Sequence, residues 1–411
     1  MSEDVIARAN AAALARMRSV RPAWCAVRTA REALGLEGRT LLHAGPPLGD
    51  PARLPAPILS SAVLCCLYEG WATDEAAAEE LIEHGVVTLR PAQDLGAVTP
   101  LAAVISPRSM LVEVCDLTTD NPRRAWSLLG SGAGPQIRFG TRQPAVIERL
   151  AWRDKVLGPQ LAQALAAGPL ALGPCALAGL AAGDDLHARC TGASTALHAA
   201  LVPRLAALPD CAAINAMLAA TPLFFLTLWM AACHLALDTA ADGGRNAQST
   251  LVVGFSGNGR ECGIRLAGDP QRWWTAPAAA PAGPFLNPEN LALAAPMVGD
   301  SGAIDAAGFG AYALAGAASE LMDAVRPWLP ADWRESARTA LLSPPPADDT
   351  LPWAALDAAA VANQADTAHA LIAMLDRDGR QGLLGRGVFA APRDAFREAA
   401  WAALSGETCH G

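Results

Sequence analysis

Lysine is nearly missing from this chain of 411 residues: of 31 basic residues, all but Lys155 are arginine. A P-loop or Schiff-base lysine would have to be Lys155, and its surroundings, "RDKVLG", fit neither. With the abundance of alanine, the arginine bias reads as GC-rich coding rather than as function. Ten cysteines (Cys25, Cys65, Cys66, Cys115, Cys175, Cys190, Cys211, Cys233, Cys262, Cys409) contain no CxxC pair. Seven histidines show no HxH or HExxH, so no metal site and no cofactor are expected. His187 and His198 lie eleven apart, close to three helical turns, too far for one ion. The longest apolar run, residues 223–237 ("LFFLTLWMAACHLAL"), falls short of the roughly 20 residues a membrane span needs and is expected to be a buried helix. The start, "MSEDVIARANAAALARMRS", has no apolar signal core. Free thiols in a reducing cytoplasm are therefore expected. A net charge of −9 and a pI near 5.3 oppose binding to nucleic acid or to an anionic membrane.

What remains is a globular composition, 52% hydrophobic and 17% charged. At roughly 100–200 residues per domain it suggests two to four lobes. An amphipathic helix opens the chain at 5–19, and "GRTLLHAGPP" reads as strand then loop. Residues 58–68 have helical length, and a second helix follows Thr73 as N-cap and closes at His84-Gly85. "VVTLRPAQD", "LAAVISP" and "MLVEVCDL" read as strands. Residues 144–241 are helical in pattern. "STLVVGFSGNGRECGIRLAG" reads as two strands about a glycine turn, and "PMVGDSGAIDAAGFGAYALAG" as a loop opening a helix. A Pro-rich link at 343–346 precedes further helices. The expected fold is mixed α/β (α+β), helix-rich and multi-lobed about a buried central helix. Its segments are an N-terminal mixed α/β domain at 1–142, a helical domain at 143–242, a glycine-rich mixed domain at 243–330 and a helical end at 331–411.

Three segments could carry chemistry. "GDDLHARC" places Asp184, His187 and Cys190 three apart, so that on a helix His187 would neighbour both others. A thiol beside His⁺ and Arg189 would be activated. The alternative is a helix start capped by Asp184 or Asp185, with Cys190 in the core. "GFSGNGRECGI" offers backbone N–H groups at Gly257 and Gly259, beside Asn258 and the titratable Glu261. The alternative there is a tight hairpin with a type I′ turn on Asn258-Gly259. "GDSG" puts Asp300 and Ser301 where a helix start would favour an oxyanion or carboxylate, or where they only cap and turn the chain. Trp273 and Trp274 could wall a pocket or fill core.

The ordered set "RTLLHAGPP", "YEGWA", "AVTPLAAVISP", "RFG", "GDDLHARC", "FFLTLWMAAC", "NGRECGI", "WWTAPA" and "GDSGAIDAAGFGAYALA" resembles the family typified by the YlbE protein, found beside FdrA in allantoin-degradation operons. The resemblance spans residues 9–317 and more loosely beyond. It implies a cytoplasmic multi-lobed α/β protein with a role in oxamate carbamoyltransferase, which exchanges a carbamoyl group between oxalurate and phosphate, working with FdrA-type and other subunits. The residues it carries over are Glu69, Asp184, His187, Arg189, Asn258, Glu261, Asp300 and Ser301. The chain departs from the family at Gln93 and Asp94, at Thr221-Pro222, at Thr227 and at Cys190. Because several hydrogen-bonding positions differ together, a changed substrate or reaction is expected.

The leading expectation is thus a carbamoyl- or acyl-transfer enzyme, with His187 moving protons, Asp184 orienting it, Arg189 on a carboxylate or phosphate, and N–H groups near Gly257 and Gly302 on the oxyanion. Its partners would be a small ureido or amide acid, phosphate or carbamoyl phosphate, FdrA-like subunits and further copies of itself in a homo-oligomer. The alternatives are a C–N hydrolase using Cys190 or an activated water, and a non-catalytic docking subunit.

Overall fold

The apolar run at 223–237 becomes the axis of the molecule: helix Phe225–Ala241, rich in Ala, Leu and Met, which suit helix interiors. Nearly every side chain on it is buried, including Thr227 and His234. It packs on one side against strands Met110–Asp116 and Arg124–Leu128, and on others against helix Glu3–Ser19, strand Val252–Asn258 and helix Gly302–Ala306. Its Trp229 stacks on Trp353 (ring centroids 5.5 Å apart) and meets Phe309 edge-on at 5.1 Å. These rings tie the central helix to the chain's last quarter. The computed structural model describes residues 3–50, 53–119, 122–245, 247–342 and 350–405. The Pro-rich link at 343–346, Cys409 and His410 lie outside them.

Two sheets flank this helix. The first has five strands in the order Ala97–Val98, Arg124–Leu128, Met110–Asp116, Pro22–Thr29, Leu170–Ala171. The second has four, in the order Asp269–Pro277, Glu261–Leu266, Val252–Asn258, Val298–Gly299. Among the described residues three two-stranded pairs accompany them, one being the antiparallel hairpin His369–Leu375 with Leu383–Ala390. The mixed α/β, helix-rich architecture expected from the sequence is the one observed. Among the described residues no helix is long and apolar enough to cross a membrane.

Several local expectations change. Asp74 caps helix Glu75–Glu83, accepting from Ala77 N at 2.9 Å, and Thr73 only donates to Asp74. "LAAVISP" forms no strand beyond a single bridge between Ile105 and Leu42, because the chain turns at Leu101 (φ +51°). Cys25 and Cys115 form a disulfide across the first sheet, so not all thiols are free. The C-terminal segment holds the 369–390 hairpin as well as helices.

Candidate functional site

Residues 183–190 do not form a helix, and the reason is local. Gly183 (φ +81°) and Leu186 (φ +66°) both take left-handed backbone, which ends helical geometry. Asp185 folds the segment on itself: its carboxylate accepts from Ala188 N at 3.0 Å and Arg189 N at 2.7 Å. The turn pushes His187 toward helix Gly302–Ala306, where its Nδ1 lies 2.7 Å from Asp305 Oδ2. The expected orienting partner, Asp184, does not touch His187. It accepts from Ala193 N at 2.9 Å, capping the next helix, and lies 3.2 Å from Arg189 Nε.

Asp305 is fully buried and is itself fixed by Ala311 N (2.9 Å) and Leu371 N (3.3 Å). Gly310 (φ +57°) is required beside it, since a Cβ there would fall 2.3 Å from Asp305 Oδ1. Burial lowers the pKa of His187, but the charge of Asp305, its hydrogen bond and then Asp185 outweigh that and raise it above 6.5. With Nδ1 held, Nε2 is the nitrogen left for chemistry.

His187 lines a cavity of about 290 Å³. Arg189 and Ser301 line it too, with Arg138, Arg386 and an apolar wall that includes Leu223, Leu226 and Ile372. Arg138 comes from the turn Ile137–Phe139 and Arg386 from strand Leu383–Ala390. Arg138 Nε is buried without a hydrogen-bond partner, and so is Ser301 Oγ. Burial and the nearby charge of Arg386 push Arg138 down to about 10. Glu320 is the one acid among the residues lining the cavity. Leu101, in left-handed backbone against Gly299, forms part of the wall, and it is one of the three non-glycine residues with positive φ among the described residues. Such strained residues collect at functional sites. A larger groove of about 480 Å³ carries Arg8, Arg245, Asp269 and Trp274, one of the two tryptophans expected to wall a pocket or fill core, but none of the expected catalytic or binding residues.

The other expected residues stand elsewhere. Asp300 is fully buried and clamps three segments, accepting from Gly45 N (2.9 Å), Thr99 N (2.8 Å) and Gln93 Nε2 (2.8 Å). Asn258 closes the hairpin turn, accepting from Arg260 N and Glu261 N and donating to Pro46 O. Only Gly259 (φ +84°) is left-handed there, which excludes a type I′ turn on Asn258-Gly259. A Cβ at Gly257 would lie 2.4 Å from Met297 O, and one at Gly302 2.4 Å from Phe255 O. These glycines are explained by close backbone packing rather than by an oxyanion cradle. Glu261 meets Thr275 Oγ1 at 3.3 Å, and Glu69 accepts from Arg108 N at 2.8 Å. Arg272 lies over Trp274 and Arg265 over Trp273, away from the cavity. Cys190 is fully buried, and burial with the charges of Asp185 and Asp184 pushes its thiol well above its ordinary pKa. That environment opposes the activated nucleophile that the spacing suggested. Among the described residues no group of three or more metal-ligating side chains forms.

Arg138, Arg386 and Asp305 were not singled out from the sequence. Arg138 sits in the "RFG" of the family pattern, and Arg386 is the lone charge in the apolar "LLGRGVFA". Asp305 follows Asp300 by five residues with no local mark.

Residues 87–301 match the family described as oxamate carbamoyltransferase subunit AllG. The chain is 35% identical over 317 residues to the oxamate carbamoyltransferase subunit AllG of Escherichia coli K12, covering 75% of this chain and 74% of that one. It is 31% identical over 322 residues to the uncharacterized protein YahG of the same organism, covering 76% and 66%. A crystal structure of a conserved protein of unknown function from Enterococcus faecalis V583 superposes with a TM-score of 0.88 at 25% identity, covering 97% of this chain and 98% of that one. The matched span contains Arg138, His187, Arg189 and Ser301; Asp305 and Arg386 lie beyond it. The oxamate carbamoyltransferase setting that the sequence pattern implied is the one matched, through the subunit AllG. On this match and this identity, the chain belongs to the oxamate carbamoyltransferase subunit AllG family.

Proposed function

We propose that this chain is a subunit of a carbamoyl-transferring enzyme and that the cavity at His187 holds its small ureido or amide acid. The observation that carries the proposal is the convergence of Arg138, Arg189 and Arg386 with His187 on one partly enclosed space with a single lining acid. Arg138 is half-buried and without a carboxylate partner, a state that an anion in the cavity would relieve. An acid of the oxalurate or oxamate type supplies that anion.

The chemistry then follows. A phosphate oxygen attacks the ureido carbonyl carbon, forming a C–O bond and a tetrahedral oxyanion, which collapses by breaking the C–N bond. The products are carbamoyl phosphate and the amide of the acid, whose nitrogen takes up a proton. His187, charged more readily because of Asp305, supplies that proton from Nε2. An arginine N–H aimed at the oxyanion is worth about 3 kcal/mol of barrier. Cys190 has no part in this scheme. The name of the related AllG calls that protein a subunit; we infer that this chain also works with partner chains, of the FdrA type the sequence pattern implied.

The test is product analysis by mass spectrometry, using oxalurate with and without phosphate, on the chain alone and with partner subunits. Carbamoyl phosphate formed only with phosphate, and lost about 100-fold or more in His187→Gln, is the expected result. Phosphate-independent cleavage, or no turnover in any combination, overturns the proposal.

A further inference from the structure

The three arginines of the cavity are not equivalent. Arg189 is already neutralised from behind: Asp184 Oδ1, fully buried, lies 3.2 Å from its Nε. Arg138 and Arg386 have no such partner. Among the described residues neither forms an ion pair with a carboxylate. Arg386, exposed to solvent, donates Nη1 to Ala188 O at 3.0 Å, and half-buried Arg138 leans on the ring of Phe139 at 5.0 Å; its Nε, like that of Arg189, has no hydrogen-bond partner. The two cations are close enough for Arg386 to depress the protonation of Arg138. Beside them Ser301, only 3% exposed, has a hydroxyl with no partner.

Charge matching divides the cavity. A pair of neighbouring arginines without a carboxylate partner is complemented best by two negative charges, even with one of the two exposed to solvent, whereas a guanidinium already facing a carboxylate gains most from a single one. We propose that Arg138, Arg386 and Ser301 form the subsite for a dianionic phosphoryl group, and that Arg189, beside His187, takes the monoanionic carboxylate of the acid. This partition rests on the cavity being the site described under the proposed function. It places the phosphate between the unpaired arginines and the proton carrier with the leaving acid. Arg138 presents a planar fork of N–H donors, suited to two phosphoryl oxygens at once.

The experiment is calorimetric titration of inorganic phosphate and of oxamate, separately, into the chain with its partner subunits, at a pH where phosphate is dianionic. Arg138→Gln is expected to weaken phosphate about tenfold or more and to leave oxamate within about twofold; a hydrogen bond to a charged group is worth about 1.5–3 kcal/mol. Arg189→Gln is expected to do the reverse. Ser301→Ala removes one donor with little volume change and is expected to weaken phosphate alone. It keeps the test valid if Arg138→Gln folds poorly. Equal weakening of both ligands by each variant means one shared anion site and overturns the partition. Oxamate binding without phosphate binding overturns the phosphoryl subsite while leaving the cavity's proposed role intact. Binding of neither ligand overturns both.

Discussion

Replacing Asp305 by Asn should leave the shape of the site nearly intact while removing one charge. The Asn Oδ1 can still accept from Ala311 N and Leu371 N, so packing should survive. The side facing His187 changes from acceptor to donor, which reverses the imidazole tautomer: Nε2 would carry the proton in the neutral ring and lose its lone pair. Burial lowers the pKa of His187 and Asp305 lifts it. Losing a hydrogen bond to a charged group worth about 1.5–3 kcal/mol lowers that pKa by roughly 1–2 units. The sign for stability follows. Because the folded pKa is raised above 6.5, the ion pair stabilises fully below the unfolded value and its contribution fades as pH rises through the folded one. Asp305→Asn is therefore expected to cost about 1.5–3 kcal/mol more at low pH than at high pH. Urea denaturation below 6.5 and well above it measures this, and NMR titration of the His187 ring checks the cause. An equal cost at both pH values, with an unmoved His187 titration, would refute the assignment of Asp305 as the positioning residue.

Other variants probe the frame of the site. Cys190→Ser is expected to keep turnover, and the wild-type thiol to resist alkylation until the chain unfolds, because burial holds it protonated; loss of turnover with folding preserved would return Cys190 to the chemistry. Gly310→Ala forces a Cβ against Asp305 at a positive φ. It should cost about 1–3 kcal/mol from the backbone alone and reproduce the His187 shift of Asp305→Asn, read by the same denaturation and titration. Asp300→Ala strands three donors, Gly45 N, Thr99 N and Gln93 Nε2. At about 1–3 kcal/mol for each buried donor, thermal unfolding should drop by several degrees or more.

Legibility in the sequence followed the range of the interactions. The central helix was visible because a continuous apolar run needs no partner to be recognised, and the hairpin 252–266 because glycine marks its turn. His187, Arg189 and Ser301 were visible as polar groups in short motifs. The arrangement of 183–190 was not, since spacing of three has meaning only on a helix, and left-handed backbone at Leu186 cannot be read from a leucine. Nor was the pairing of His187 with Asp305 across 118 residues. Arg138 and Arg386 come from separate parts of the chain, and only the packing of the 369–390 hairpin near the loop at 187–189 brings them to one cavity. Polar motifs at Asp300 and Asn258 stood out equally well, yet their side chains are spent on holding loops together. A motif shows that a polar group is needed; the backbone atoms it meets decide whether ligand or fold needs it.

The most direct measurement is a crystal structure of the chain with oxamate. The account predicts the ligand in the 290 Å³ cavity, its carboxylate on Arg189 and its amide nitrogen facing His187 Nε2. Oxamate seated at the 252–266 hairpin turn or in the groove of Arg8 and Arg245, with the cavity unoccupied, would contradict it.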